Sequence, residues 1–486
     1  MPKTILFLPD VYKEQGHWLP TLKWAEDLSK LGHTIKYMGI LDCQGVVEAY
    51  PIKNSNDVLV SIPFSPIFQN TYPLGYTTEC HTSPNERWRP DHIWAIAYSA
   101  LGEDLPNYRD KLNKDLYNDA EAFFELFGEN QANGINPDLL VSGYFTSLES
   151  LLIHKIYGVN VVISTTYLRH PSEDPAMRAL QNLMAFSPTE YFKLVNLCRY
   201  QELKTAAGGG PVDLLQDPEV EMEKFVEDLE HFEELIPCPH DYEYSHYNPG
   251  EIVHYVEPCI LDRDLISSNH SSAWFDDLIE DPQESESENP APQSVPAEEK
   301  KGIIFVTAGS QVLDYEGKAR HLFHCMCDAM KSAELSRYHL ILGVGKKLVN
   351  DYEWDEFRTM PNITFADWVP QRRILKAENL EIALIHGGLA TIKECVYNNK
   401  KFLILPLGKD QIDNALRLRK YGINNTVPIE KISPKVLIDA IMKLKSDRKT
   451  LQNLKKLSEV FQRAETESKG TQVLLDNLNP QQQSNG

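Results

Sequence analysis

Apolar residues in this chain alternate between two rhythms. Short unbroken runs, such as TILFLPD from Thr4 and GIIFVTAGS from Gly302, suit strands buried on both faces of a parallel sheet. Between them lie stretches with an apolar residue every three or four positions, the spacing of helices with one buried face. The first forty residues make one such unit: a strand, a helix with Leu19, Leu22, Ala25 and Leu28 on one side, Gly32 as its stop, and HTIKYMGI as the next strand. Strand 138–142, helix 146–157 and strand 159–164 make another. From residue 302 the series restarts with a strand, a helix over about 316–333 and the strands YHLILGVG and NITFADW. It continues as strand 379–386, helix GGLATIKECVYNN, strand 402–406 and helix DQIDNALRLRKYG, and helices fill 433–478. Two α/β series, each opening strand–helix–strand, predict two Rossmann-like, doubly wound domains.

Length agrees, because 486 residues exceed what one core usually holds. The expected division is an N-terminal domain over 1–262, a linker over 263–301, a C-terminal domain over 302–452, further helix over 453–478 and a tail at 479–486. The linker reading rests on composition: DDLIEDPQESESENPAPQSVPAEEKK is acidic and rich in Pro and Ser. Residues 42–135 are rich in aromatics and proline, with a helix expected over about 106–127, and 167–235 is helical with breaks. One break, Gly208 to Gly210, has no strand before it and no Lys-Ser/Thr after it, so it reads as a connector and not a phosphate loop.

A net charge of −22 argues against nucleic acid or an anionic membrane as partner. No run reaches the roughly 18 apolar residues of a membrane helix, so no integral membrane segment is expected and a cytoplasmic location is. Eight cysteines without a CxxC pair suit reduced thiols. His321, His324, Cys325 and Asp328 have helical spacing, but their apolar neighbours favour a packed helix, and no metal site is expected.

The chemistry concentrates between Trp368 and Gln411. Gly387 and Gly388 follow a strand and open a helix, where backbone N–H groups and the dipole favour an anion. His386 and Thr391 can donate further hydrogen bonds to a diphosphate. Glu394 can accept from a ribose diol, Trp368 offers a face to a base, Gln371 can address its edge, and Asp410 with Gln411 suits sugar hydroxyls. Together these residues describe a nucleotide sugar.

The stretch WVPQ…HGGLATIKE…LPLGKDQ resembles the 44-residue signature of the family 1, UDP-dependent glycosyltransferases. The resemblance implies GT-B architecture, two facing doubly wound domains, with 453–478 returning to the N-terminal domain. It implies donor-binding roles for Trp368, Gln371, His386, Gly388, Thr391, Glu394, Asp410 and Gln411, and for Ser310 in the turn after the first C-terminal strand. Leu389 and Ala390 depart from the plant pattern, where Trp and Asn are usual. His17, after Gly16 in the loop between the first strand and the first helix, matches the family's general base, a role that suits histidine near neutral pH. The family usually places an aspartate after the strand at 138–142 to orient that histidine, and here the residue is Gly143. Asp10 and Glu149 are the alternative orienting acids.

The expected function is an inverting transferase with no cofactor, moving glucose or a related sugar from a UDP-sugar to a hydroxyl of a small apolar acceptor, as in secondary metabolism. The alternative is a UDP-sugar-binding protein of the same fold with weak or absent catalysis.

Overall fold

In a computed structural model of the chain, the residues described are 2–9, 15–39, 49–50, 60–63, 136–143, 150, 154, 158–166, 168, 231–244, 249–262, 273–279, 301–310, 312–408 and 411–478. They fall into two compact units, one holding residues up to Cys259 together with those from Ala464 on, the other spanning Ile260–Arg463. The helix expected over 106–127 and the triple glycine lie outside the described residues.

The first unit is built on seven parallel strands: β1 (Thr4–Leu8), β2 (Thr34–Gly39), β3 (Val60–Pro63), β4 (Leu139–Gly143), β5 (Asn160–Ser164), β6 (Glu233–Ile236) and β7 (Val253–Tyr255). Their order is β3-β2-β1-β4-β5-β6-β7. The winding therefore reverses between β1 and β4, which pair with Leu8 beside Ser142. Central β1 and β4 are buried nearly throughout, which is why they read as unbroken apolar runs. Helix α1 (Gln15–Lys30) buries Trp18, Leu22, Trp24, Ala25 and Leu28 completely. It begins earlier than the sequence suggested: Gly16 and His17 stand in its first turn, not in the preceding loop.

The second unit holds β8 (Ile303–Thr307), β9 (His339–Gly343), β10 (Ile363–Ala366), β11 (Leu380–Ile385) and β12 (Phe402–Ile404), all parallel, in the order β10-β9-β8-β11-β12. Its helices include α2 (Glu316–Ala329), α3 (Gln371–Lys376), α4 (Leu389–Tyr397), α5 (Gln411–Arg419) and α6 (Pro434–Ser446). The apolar face of α2, with Leu322, Phe323 and Met326, joins Leu340, Leu342 and Ile382 in one core. On the same helix Cys325 is buried and His324 bonds Glu353 Oε2 at 3.0 Å. Helix α6 is started by Ser433, whose hydroxyl accepts from Val436 N at 3.2 Å, with Pro434 in the first turn.

Two expected boundaries change. Part of the expected linker is folded: Phe275 and Ile279 are buried in the second unit, and Leu278 O accepts from Asn379 Nδ2 at 2.8 Å. Composition hid this because Phe275 and Ile279 are isolated apolar residues beside the acidic run. Helix α7 (Arg448–Glu467) also runs without a break through residue 453, and the chain joins the first unit only from Ala464. There α8 (Lys469–Asn477) is tied down by its ends. Gly470 N donates to Glu257 Oε2 at 2.7 Å, and Trp24 Nε1 donates to the other oxygen of that carboxylate at 2.7 Å. At the far end Asn160 Nδ2 donates to Asn477 O and Asn477 Nδ2 to Glu233 Oε2.

Among the described residues no helix is long and apolar enough to cross a membrane.

Candidate functional site

Open parallel sheets bind ligands outside the carboxyl ends of their strands, where the winding reverses. In the second unit that point lies between β8 and β11. The segments leaving those strands carry Gly309-Ser310 and His386-Gly387-Gly388, while β12, beside β11, leads to Gln411 and β10, two strands from β8, leads to Trp368. The topology thus gathers at one sheet edge most of the residues that the sequence singles out.

The histidine is seated by glycines. A Cβ on Gly309, whose φ is +82°, would lie 2.5 Å from His386 Cε1, and one on Gly388 would lie 2.5 Å from His386 Nε2. Gly387, at φ +98°, lets the chain turn sharply beneath Ile404 and α5. Asn414 Nδ2 holds that turn by donating to Gly387 O at 3.2 Å. Gly388 is the N-cap of α4 and brings no side chain to compete for the first-turn N–H groups. The positive end of α4 therefore opens at the reversal point.

One turn further along, Thr391 and Glu394 are both buried, and α3 reaches them from Trp368-Val369-Pro370. Gln371 Nε2 donates to Glu394 Oε2 at 2.6 Å and lies 3.4 Å from Thr391 Oγ1. Arg372 Nη2 pairs with the other oxygen, Glu394 Oε1, at 3.0 Å. Both partners of this ion pair are buried, the side chains being 10% and 6% exposed. Sequence reasoning missed Arg372; its only signal was a charged residue directly after Gln371. Cys395 beside Glu394 is buried, and burial together with that carboxylate pushes its thiol well above the ordinary range, away from nucleophilic chemistry.

Trp368 is half-buried, with its backbone N bonded to Asp367 Oδ1 at 2.8 Å. Ser310 is exposed. The Gln411 carboxamide oxygen accepts from Leu407 N at 2.7 Å and Gly408 N at 3.1 Å, so this side chain braces the loop after β12. Lys318 Nζ braces the same loop through Leu407 O at 2.6 Å, its pKa lowered by burial. Asp410 lies outside the described residues.

At the corresponding point of the first unit the backbones of Pro9 and Gly143 approach closely. A Cβ on Gly143 would overlap Pro9 O, so the two backbones meet where β1 and β4 end. No side chain fits there without moving the strands. His17 is half-buried in α1, while Asp10 and Glu149 lie outside the described residues.

The family model described as the glycosyltransferase family 28 C-terminal domain matches residues 303–469. The glycosyltransferase of kitacinnamycin superposes with a TM-score of 0.61 at 15% identity, covering 98% of this chain and 100% of that one. The fold is GT-B, and part of the chain is similar to proteins named as UDP-glucuronosyltransferases. The putative UDP-glucuronosyltransferase ugt-50 of Caenorhabditis elegans is 25% identical over 163 residues, 33% of this chain and 30% of that protein. This chain thus matches less than a third of that relative's length. A GT-B structure described as LpCGTa in complex with UDP superposes with a TM-score of 0.55 at 15% identity, covering 98% of each chain.

Proposed function

We propose that this protein is an inverting glycosyltransferase that moves a sugar, glucose or a close relative, from a UDP-sugar to a hydroxyl of a small apolar acceptor. The observation that carries the reading is the meeting of Gln371, Thr391 and Glu394 beside the glycine-seated His386, at the carboxyl edge of β8 and β11. The similarity of part of the chain to a putative UDP-glucuronosyltransferase supports UDP as the nucleotide.

In this reading α4 and its preceding turn take the diphosphate: the helix dipole, His386 and Thr391 oppose the charge that grows on UDP as it leaves. That assigns to protein groups the neutralisation that a metal supplies in other transferases. Glu394 takes the ribose, Trp368 the base, and Asp410 with Gln411 the sugar, with Ser310 completing the donor set. The acceptor oxygen attacks the anomeric carbon opposite the UDP leaving group. The new C–O bond forms as the bond to the diphosphate oxygen breaks, inverting that carbon, and His17 takes the acceptor's proton.

The closure of Gly143 on Pro9 favours a second reading, a UDP-sugar-binding protein without efficient transfer, because the family's usual orienting acid has no room at that position. One assay separates the two. UDP release from UDP-glucose and related donors is followed with phenolic, terpenoid and macrolide acceptors, for wild type beside His17→Ala. Acceptor-dependent release lost in the variant supports the transferase with His17 as base; donor binding without turnover supports the second reading. Turnover that survives in His17→Ala overturns the choice of base.

A further inference from the structure

The two oxygens of Glu394 are held in different ways. Oε1 faces a permanent charge, the Arg372 guanidinium at 3.0 Å, and Oε2 faces a neutral amide, Gln371 Nε2 at 2.6 Å. The amide is itself divided, because it also lies 3.4 Å from Thr391 Oγ1. Adjacent residues of a helix point about 100° apart and rarely address one group; here the first turn of α3 meets α4 so that Gln371 and Arg372 grip one carboxylate from two sides.

A buried carboxylate needs a cation to offset its desolvation, and a guanidinium at hydrogen-bonding distance both compensates its charge and limits its rotation. The neutral hydrogen bond is the exchangeable one: a diol hydroxyl can replace an amide N–H at Oε2 for little net cost, whereas replacing the guanidinium strands a buried charge. From this we infer that Arg372 is a positioning residue for the nucleotide's sugar. It fixes Glu394 so that Oε2 is presented to a vicinal diol, and so makes the site select a ribonucleotide over a 2′-deoxyribonucleotide. The inference rests on the nucleotide-sugar reading above. It concerns a residue next to the expected contact set and not a member of it.

The test is the binding of UDP and of 2′-deoxy-UDP to the full chain by calorimetry, for wild type, Arg372→Met, Arg372→Lys and Glu394→Gln, with each variant's fold checked by circular dichroism. A hydrogen bond to a charged group corresponds to roughly a tenfold or larger preference, so wild type should favour UDP by about that factor. Arg372→Met should bring the preference below about threefold, close to Glu394→Gln, while 2′-deoxy-UDP affinity changes little. Arg372→Lys, which keeps a cation at this place, should restore part of the preference and provides the reading if the Met variant does not fold.

A purely structural role for Arg372 would weaken both nucleotides equally and leave the preference intact; that result overturns the inference alone. Failure of wild type to bind either nucleotide overturns the nucleotide reading, and this inference with it. Equal binding of both nucleotides by wild type overturns the ribose selection while leaving the donor site standing.

Discussion

His386 rests against the backbone of Gly309, so closely that a Cβ at position 309 would stand 2.5 Å from the ring's Cε1. The contact joins the segments that leave β8 and β11, the two strands between which the winding reverses. Gly309→Ala would both push the imidazole aside and force a side chain into φ +82°. The backbone alone costs about 1–2 kcal/mol. UDP affinity should fall at least tenfold, more than the melting temperature implies, and calorimetry beside thermal unfolding reads the two effects separately. Unchanged affinity would remove His386 from the diphosphate site.

Placing an aspartate at position 143 should not improve catalysis. A side chain there meets Pro9 O, just past the end of the neighbouring strand β1, and overpacking of this kind costs about 3 kcal/mol. Gly143→Ala and Gly143→Asp should therefore destabilise the first unit to a similar extent, as followed by urea unfolding. A Gly143→Asp variant that is stable and faster would show that the strands separate readily and that the family's orienting acid can be rebuilt.

The last helix depends on one buried carboxylate. Glu257 is 1% exposed and serves Trp24 Nε1 on α1 and Gly470 N on α8 together. Glu257→Ala leaves two buried donors unsatisfied, a loss of about 2–4 kcal/mol. Amide exchange along residues 469–477 should accelerate far more than exchange in β8 or β11, which lie in the other unit. Uniform acceleration would mean that α8 is not held locally by this contact.

Stability should fall in mild acid through His339. This residue opens β9, is largely buried, and bonds Thr364 Oγ1 through Nε2 at 2.8 Å. Burial, with Lys301 adding to it, lowers its pKa from 6.5 to about 4. The unfolded chain therefore takes up this proton first as the pH drops. The contribution is fully present above about pH 6.5 and is lost as the pH falls through 4, with about 2 kcal/mol gone between pH 7 and pH 5. Urea midpoints of wild type and His339→Gln should converge as the pH falls over that interval. A constant difference would assign the acid sensitivity to other groups.

Much of the framework was readable along the chain because its determinants are local. Apolar runs at β8, β9, β11 and β12 announce strands buried on both faces, and GGLATIKECVYNN announces a helix opened by glycine, which the structure gives as α4. The residues of the box from Trp368 to Gln411 were legible for the same reason: their spacing is a property of consecutive positions. The linker shows where composition fails, since two buried residues, Phe275 and Ile279, are enough to fold residues 273–279 onto the second unit.

By itself, then, the sequence determined the two α/β series, the elements that compose the second sheet and the set of polar residues near its carboxyl edge. Tertiary structure alone decided the partners. It set Arg372 and Gln371 on opposite oxygens of Glu394, turned Gln411 toward its own loop, seated His386 between two glycines and closed Gly143 on Pro9. The physical reason is range. Strand and helix preferences are written in residues two to four positions apart, whereas a hydrogen bond between residues 371 and 394, or a contact between residues 9 and 143, exists only after the sheet has brought distant segments together.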